Sequence, residues 1–295
     1  MALSAWANRN IKWVFILPAA LFVAIMMIFP ILYTGWLSFT QWSMSATQPP
    51  VWVGINNYTT LLGNDERFRD ALTRTFVFTI GAVGIELVLG LAIALLLRRE
   101  FRGQNLVKTL ILLPMVATPV AMGMAWLLML EPTIGFANYA LHLVGLPPQP
   151  WLASTDQALP SLMLVDIWEW TPMIALIALA GLATLPDEPF EAATVDGAGP
   201  WQRFIHLTLP LMAPTLVVAT LLRAIDALKT FDIIYTMTQG GPGFATETLN
   251  IYSYAQGFGY FQLGMASSLL VIFFAIVLGV SLLFMVIRNR WGTAT

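Results

Sequence analysis

The sequence predicts an all-α, polytopic membrane protein with six transmembrane helices, and three observations lead to this fold class. Of the 295 residues, 58% are hydrophobic and 10% are charged, whereas about 25% are charged in soluble domains. Six apolar stretches reach the roughly 20 residues that a helix needs to cross a bilayer. Polar segments separate these stretches. A soluble chain could not cover so much apolar surface, so residues 1–295 are expected to form a single transmembrane domain in lipid.

The six spans are justified in chain order by their length and charge. The first follows Arg9 and Lys12 and exceeds the roughly 7–15 apolar residues of a signal peptide, so we interpret it as a retained span. The second, third and sixth are nearly free of charge, whereas the fourth and fifth contain ionisable residues. The predicted spans are residues 13–37, 74–97, 107–130, 159–182, 208–230 and 264–287.

The Lys and Arg residues predict the orientation, because cytoplasmic flanks carry an excess of them. With the N-terminus inside, nine fall on the inner side and five on the outer side or outer helix ends. The nine are Arg9, Lys12, Arg98, Arg99, Arg102, Lys108, Arg203, Arg288 and Arg290, and the five are Arg67, Arg69, Arg74, Arg223 and Lys229. Both termini are therefore expected inside, and the polar insert 183–207 is expected on the cytoplasmic face.

Composition excludes several kinds of function. The formal net charge is −2, which argues against nucleic acid, since nucleic acid requires a basic surface. The chain has no cysteine, and its two histidines, His142 and His206, lie far apart in the sequence. We therefore expect no metal site and no catalytic residue in this chain. None of its lysines follows a glycine, so the phosphate-binding loop of ATPases is absent from the sequence.

The insert 183–207 predicts a short helix, a sharp turn and a second short helix. Pro189 suits a first helical turn, and the acids around it suit the positive end of a helix dipole. Gly197 suits the left-handed position that ends a helix, and Pro200 suits the start of the next one. From the physics alone, a well-capped loop and a surface that another protein approaches closely remain equally open.

The spacing of this insert is more specific. Glu191-Ala192-Ala193 is followed after three residues by Gly197, and after nine more by Leu207-x-Leu209-Pro210. This pattern resembles the EAA loop of ABC-importer membrane subunits, with Leu207 where that family more often has isoleucine. The segments "IWEWTP" (167–172), "FDIIYTMTQGGP" (231–242) and "NNYTTLL" resemble the maltose-type, binding-protein-dependent carbohydrate permeases. The resemblance covers most of the chain and is strongest over 159–287.

This resemblance implies a type I ABC importer, maltose-permease-like fold, in which the loop is a coupling helix that docks on a separate ATPase. It places ATPase-coupling residues at Glu191, Ala192, Ala193, Asp196, Gly197 and Ala198. It also implies a second homologous permease subunit, two ATPase copies that bind ATP and Mg, an external solute-binding protein and a sugar-like solute. No cofactor is then expected in this chain itself, and the expected location is the bacterial inner membrane, in contact with lipid.

Ionisable residues within spans are costly and by default mark a functional site. Asp166, Glu169, Trp170 and Met173 lie on one face of the fourth span by their spacing. Carboxylates accept hydrogen bonds from hydroxyl groups and Trp covers the apolar face of a sugar. The alternative is that an acid pairs with Arg223 of the fifth span and joins two helices. Glu86, in the second span, favours helix packing over a proton relay.

Aligned from Glu191, the resemblance places family sugar contacts at seven positions. Most identities differ from the maltose case, so the solute stays open, and an arginine among them permits an anionic sugar. The seven predicted substrate-path residues are Asp166, Glu169, Trp170, Met173, Arg223, Ala227 and Thr230.

Two other functions are weighed against the importer subunit. An ion-coupled secondary transporter would use Asp166 and Glu169 as coupling acids, and inverted repeats would support it, but none is detected. An intramembrane enzyme needs a nucleophile with a base, or a metal site, and the sequence has no H-E-x-x-H motif. We expect the importer subunit.

Overall fold

The computed structural model describes residues 11–43, 48–99 and 101–292, and of residues 11, 14 and 289–292 it describes the backbone alone. Arg9, which contributes to the predicted charge bias, lies outside the described residues, as does the side chain of Arg290. The described chain divides into two compact units. One contains the residues up to Asp65 together with Ser253–Phe274, and the other contains Glu66–Tyr252 and the residues from Ala275 onward.

The first unit contains a long apolar helix, a small hairpin and a short helix. Helix α1 is Ile11–Leu37, strands β1 (Thr40–Gln41) and β2 (Val51–Trp52) pair antiparallel, and helix α2 is Asn56–Asn64. The side chain of Asn57 donates to the carbonyls of Ser38 and Thr40, both at 2.9 Å. None of the apolar window of α1 is buried among the described residues, as expected of a helix that faces lipid or another protein.

The second unit holds most of the remaining helices. They are α3 (Glu66–Leu97), α4 (Gln104–Val116), α5 (Pro119–Met129), α6 (Phe136–Leu143), α7 (Ala158–Ala183), α8 (Glu188–Val195), α9 (Pro200–Arg203), α10 (Leu209–Leu228) and α11 (Asp232–Met237). Two helices begin in one unit and end in the other by residue number: α12 (Leu249–Tyr254) and α13 (Leu263–Gly292).

Five helical runs among the described residues are long and apolar enough to cross a membrane. They correspond to the first, second, fourth, fifth and sixth predicted spans. The second begins at Glu66, eight residues before its predicted start. The fifth begins at Pro200, because α9 continues through a π-helical stretch, Phe204–Thr208, into α10.

The predicted third span, 107–130, is corrected by the structure. It is two helices, α4 and α5, bent by 95°. The break lies at Ala117 and Thr118, which are both extended. Pro119 explains the break, because a residue before proline is pushed out of the helical region.

Helices α3, α7 and α10 pack together in the second unit through small residues. Ala82 and Ala94 of α3, Ala178 of α7 and Ala219 of α10 are fully buried. At Gly90 of α3 an added Cβ would lie 2.7 Å from Cγ2 of Ile174 in α7. Small side chains allow helix backbones to approach closely in membranes, so this trio forms the core that positions the site described next.

Candidate functional site

Two regions of the second unit contain the residues that the sequence singles out. One is the buried ion cluster, which we define as Glu86, Asp166 and Arg223. The other is the polar loop between α7 and α10, which contains α8 and α9 and is called the 184–208 loop below. The ion cluster is built by packing between helices, whereas the 184–208 loop is built by short helices and a turn.

The ion cluster joins three helices. Glu86 belongs to α3, Asp166 to α7 and Arg223 to α10, and each is at most 1% exposed. Nε of Arg223 donates to one carboxylate oxygen of Glu86 at 2.8 Å, and Nη2 donates to the other at 3.2 Å. Nη2 also donates to Oδ2 of Asp166. Two carboxylates thus surround one guanidinium group, whose planar donors suit such pairing.

Two carboxylate oxygens, one within this cluster and one beside it, have no hydrogen-bond partner among the described residues. They are Oδ1 of Asp166 and Oε2 of Glu169, and both are buried. The ring of Trp170 lies 5.2 Å from the guanidinium carbon of Arg223. These groups can accept hydrogen bonds from a donor that the described residues do not supply.

The remaining predicted path residues lie on the same helices or directly after them. Met173 and Trp170 are half-buried on α7, and Ala227 is buried at the end of α10. Thr230 follows α10, and its hydroxyl is 3.4 Å from the carbonyl of Asp226. The structure therefore brings Asp166 and Arg223 together as an ion pair between helices and places the ring of Trp170 beside Arg223. Glu86 was predicted to serve helix packing, but sequence reasoning did not name Arg223 as its partner.

The 184–208 loop has the predicted helix–turn–helix form. Helix α8 begins one residue before Pro189. It ends before Gly197, whose φ is +81°. The amide of Gly197 donates to the carbonyl of Thr194 at 3.1 Å, and that of Ala198 donates to Ala193 at 2.9 Å. This pair of bonds closes a helix end that requires a left-handed residue.

Side chains tie the two arms of the loop together. Nη1 of Arg203 donates to the hydroxyl of Thr194 at 2.9 Å. Gln202 accepts from the amide of Gly199 at 2.8 Å and so caps α9. A cavity of about 410 Å³ lies between the arms. It is lined by Ala193, Asp196, Gly197, Ala198, Gln202, Arg203, His206 and Leu207.

The loop presents its predicted coupling residues outward. Glu191, Ala192, Asp196 and Gly197 are exposed, and Ala193 and Ala198 are half-buried. Val195 is 89% exposed and Trp201 is 70% exposed. Exposed apolar side chains beside small residues and acids form a surface that another protein can cover.

A third feature was not predicted from the sequence. Arg67 of α3 donates twice to the Glu247 carboxylate, through Nε and Nη2, both at 2.6 Å. Its guanidinium carbon lies 4.0 Å from the Phe244 ring centre. Glu247 follows a Gly-Pro-rich turn in which Gln239, Gly240 and Gly243 have positive φ. Arg67 and Glu247 are 180 residues apart, so no local pattern in the sequence could have indicated that they pair.

The helices and the loop define the membrane permease component of a transporter. A family model described as a binding-protein-dependent transport system inner membrane component matches residues 86–290. The chain belongs to this family, and it is the permease of an ABC importer, whose ATPase is a separate subunit; it is not itself an enzyme. The predicted resemblance is thereby confirmed, and the ion-coupled transporter is not favoured.

Known proteins are similar over nearly the whole chain. The probable ABC transporter permease protein y4oQ of Sinorhizobium fredii is 38% identical over 273 residues, 92% of this chain and 87% of that protein. The trehalose/maltose transport system permease protein MalF of Thermococcus litoralis is 33% identical over 283 residues, 95% and 94% of the two chains.

The fold also matches a solved structure. A chain of a bacterial ABC transporter involved in the import of the acidic polysaccharide alginate gives a TM-score of 0.83 at 21% identity, covering 98% of this chain and 99% of that chain. At this identity the match concerns the fold, and it confirms a mostly helical importer-permease architecture.

Proposed function

We propose that this chain is the transmembrane permease subunit of an ATP-driven importer for a sugar or a related polyol or glycoside, and that it forms half of the translocation path. The trehalose/maltose permease, 33% identical over 95% of this chain, supports the sugar class. The observation that carries the proposal is the exposed helix–turn–helix of the 184–208 loop, with Glu191 outward and Gly197 left-handed.

In this proposal the loop is the coupling helix. Glu191, Ala192, Ala193, Asp196, Gly197 and Ala198 contact a groove of the ATPase, which binds ATP and Mg, and this chain needs no cofactor of its own. Because Pro200–Leu228 is one helical run, movement of the loop is passed directly to α10. Helix α7 ends immediately before the loop, so α7 and α10 are expected to move together when the ATPase closes.

The proposed topology has six spans with both termini inside. The bent pair α4 and α5 counts as the third span, and the 184–208 loop is cytoplasmic. The basic residues of the inner flanks, such as Arg98, Arg99 and Lys108, support this orientation. The location is the inner membrane of a bacterial cell.

The proposed partners follow from the family. They are a second homologous permease subunit, two copies of an ABC ATPase and an external solute-binding protein. The chain supplies one half of a path, and helix α1, whose apolar window has no buried residue, is consistent with a subunit surrounded by lipid and protein.

The solute is proposed to pass along the face of α7 and α10 that carries the predicted path residues. The unpartnered oxygens of Asp166 and Glu169 would accept hydrogen bonds from solute hydroxyls, and Trp170 would cover an apolar sugar face. Arg223, held by two carboxylates, would fix Asp166 and Trp170 in place. Met173, Ala227 and Thr230 complete this proposed path.

The test is a mild-detergent purification of the tagged chain from its native membranes, with partners identified by mass spectrometry. The native chain is expected to retain a P-loop ATPase and a second permease. A Glu191→Lys, Gly197→Asp variant is expected to lose the ATPase and keep the permease. Glu188→Lys is the matched control, because Glu188 is exposed on the same helix but outside the motif. Absence of any ATPase from the native chain would refute the coupling loop.

A further inference from the structure

The last part of the EAA pattern, Leu207-x-Leu209-Pro210, has no role in the coupling surface proposed above. Pro210 lies at the start of α10, directly after the π-helical residues Phe204–Thr208, which we call the π stretch. The amide of Leu209 donates there to the carbonyl of Phe204, five residues earlier. Because π turns are rare and occur mostly at functional sites, the residues around this one are expected to require it.

The ring of Pro210 supplies one such requirement. Proline has no amide hydrogen, and inside a helix its ring clashes with the carbonyl four residues earlier. For Pro210 this is the carbonyl of His206, in the middle of the π stretch. A wider turn gives that carbonyl room. Nδ1 of His206 also lies 3.0 Å from the carbonyl oxygen of Gln202, so a side chain contacts the backbone ladder where it opens.

The chain before the π stretch supplies the second requirement. Proline alone does not demand a π turn, since α10 is α-helical on both sides of Pro214. The difference is that α9 is tied to α8, because Nη1 of Arg203 donates to the hydroxyl of Thr194 at 2.9 Å. The helix therefore relieves the clash at Pro210 while the end that precedes it is held in place.

The π stretch sets the rotation of α9 relative to α10. A π turn adds one residue, so the position in line with the buried Thr208 is Arg203, five residues earlier, which is half-buried and reaches Thr194. In a regular α-helix Phe204 would take that line, since side chains four residues apart share a face. Each residue turns an α-helix by about 100°. If the π stretch became α-helical, α9 would therefore rotate by about 100° and Arg203 would leave Thr194.

We propose that Pro210 is a positioning residue for the ATPase interface, because it maintains the π stretch and thereby the direction in which α8 presents its exposed face. The assignment of that face to an ATPase rests on the proposed function, whereas the rotation of the helix does not. Pro210→Ala is expected to close the π stretch into a regular α-helix, since it removes the clash and restores the amide donor. A proline that only bends α10 would leave the rotation unchanged when replaced.

The first test measures this rotation. A keto amino acid replaces Val195 of α8 and Leu222 of α10, both exposed, and each receives a hydroxylamine spin label. Pulsed electron paramagnetic resonance then gives the distance between the labels in the complex purified with the tagged chain. Pro210→Ala is expected to change this distance by several ångströms. Pro214→Ala, a proline in the α-helical part of α10, is the matched control and should keep the native distance.

The second test separates rotation from stability. Retention of the ATPase after mild-detergent purification should fall about fivefold or more in Pro210→Ala. Deleting Ile205, an exposed residue of the π stretch, from the same variant leaves a regular helix one residue shorter, so α9 returns to its native rotation and retention should recover. The unfolding temperature of Pro210→Ala should not fall, because proline is unfavourable within a helix. A proline needed only for packing would lower it and would not be rescued by a deletion.

Three results would overturn the proposal. The first is an equal label distance in the native chain and Pro210→Ala. The second is a changed distance with undiminished ATPase retention, and the third is a loss of retention that deletion of Ile205 does not restore. If the native chain retains no ATPase, the proposed function fails and the positioning role fails with it, whereas the label distances still decide whether Pro210 sets the rotation of the helix.

Discussion

The ion cluster and the 184–208 loop place acidic residues in opposite situations within one unit. Glu86 is fully buried and accepts two hydrogen bonds from Arg223, whereas Glu191 is exposed on α8. In the cluster, charges are bound to one another and hold helices together. In the loop, backbone bonds at Gly197 and the bond from Arg203 to Thr194 hold the turn, and the side chain of Glu191 stays exposed. The difference teaches that an acid with a cation buried beside it joins helices in this chain, whereas an exposed acid stays available for contact with another protein.

The largest effect is expected when the central cation of the ion cluster, Arg223, is removed. Arg223→Leu leaves Glu86 and Asp166 buried without their partner, so we expect the free energy of unfolding to fall by about 3–5 kcal/mol. The measurement is thermal unfolding in detergent, together with the yield of folded protein. The triple variant Glu86→Leu, Asp166→Leu, Arg223→Leu should be more stable than Arg223→Leu alone. If the single variant is as stable as the native chain, the cluster does not hold the helices.

A smaller effect is expected where the core helices approach each other. In Gly90→Ala the new methyl group would meet Ile174 at 2.7 Å and the backbone nitrogen of Ala175 at 3.0 Å. Overpacking of this kind costs about 1–3 kcal/mol. Gly84→Ala is the control on the same helix, because nothing lies within 4 Å of its added Cβ. Equal unfolding temperatures for the two variants would argue against close contact between α3 and α7.

At the turn of the 184–208 loop, a substitution of Gly197 should act through backbone strain alone. Gly197 has a φ of +81° and open space around an added Cβ, so Gly197→Ala is expected to cost about 1–2 kcal/mol through the left-handed backbone. Gly197→Asn should cost less, since asparagine tolerates this conformation. The readout is hydrogen exchange of the amides of 194–203. Unchanged exchange in the alanine variant would contradict the left-handed turn.

The smallest effect on stability is expected on the outer face of the loop. Glu191→Lys changes an exposed side chain, so the free energy of unfolding should shift by no more than about 0.5 kcal/mol. Retention of the ATPase should nevertheless be lost, while Glu188→Lys retains it. A large loss of stability in Glu191→Lys would place this residue with the core rather than with the coupling surface.

Local signals in the sequence predicted much of the fold. Length and hydropathy located five spans, and Pro189, Gly197 and Pro200 predicted the loop, since proline and left-handed glycine act on their immediate neighbours. The break between α4 and α5 had a local signal as well. Pro119 disfavours helical backbone at Thr118, but the uniform hydropathy of 107–130 concealed it.

The candidate site was only partly predictable. The spacing of Asp166 and Glu169 placed them on one face of α7, and an ion pair with Arg223 remained an open alternative. The sequence could not show that Glu86 also binds Arg223, because 137 residues separate the two. Solute contact and ATPase coupling remain predictions.

The sequence by itself determined that the chain is a helical membrane protein with an EAA-type loop, because hydropathy, proline, glycine and motif spacing act locally along the chain. Only the tertiary structure decided which charges meet. Ion pairs within spans form between helices that are distant in sequence, and their partners depend on how Gly90 and the buried alanines allow α3, α7 and α10 to pack.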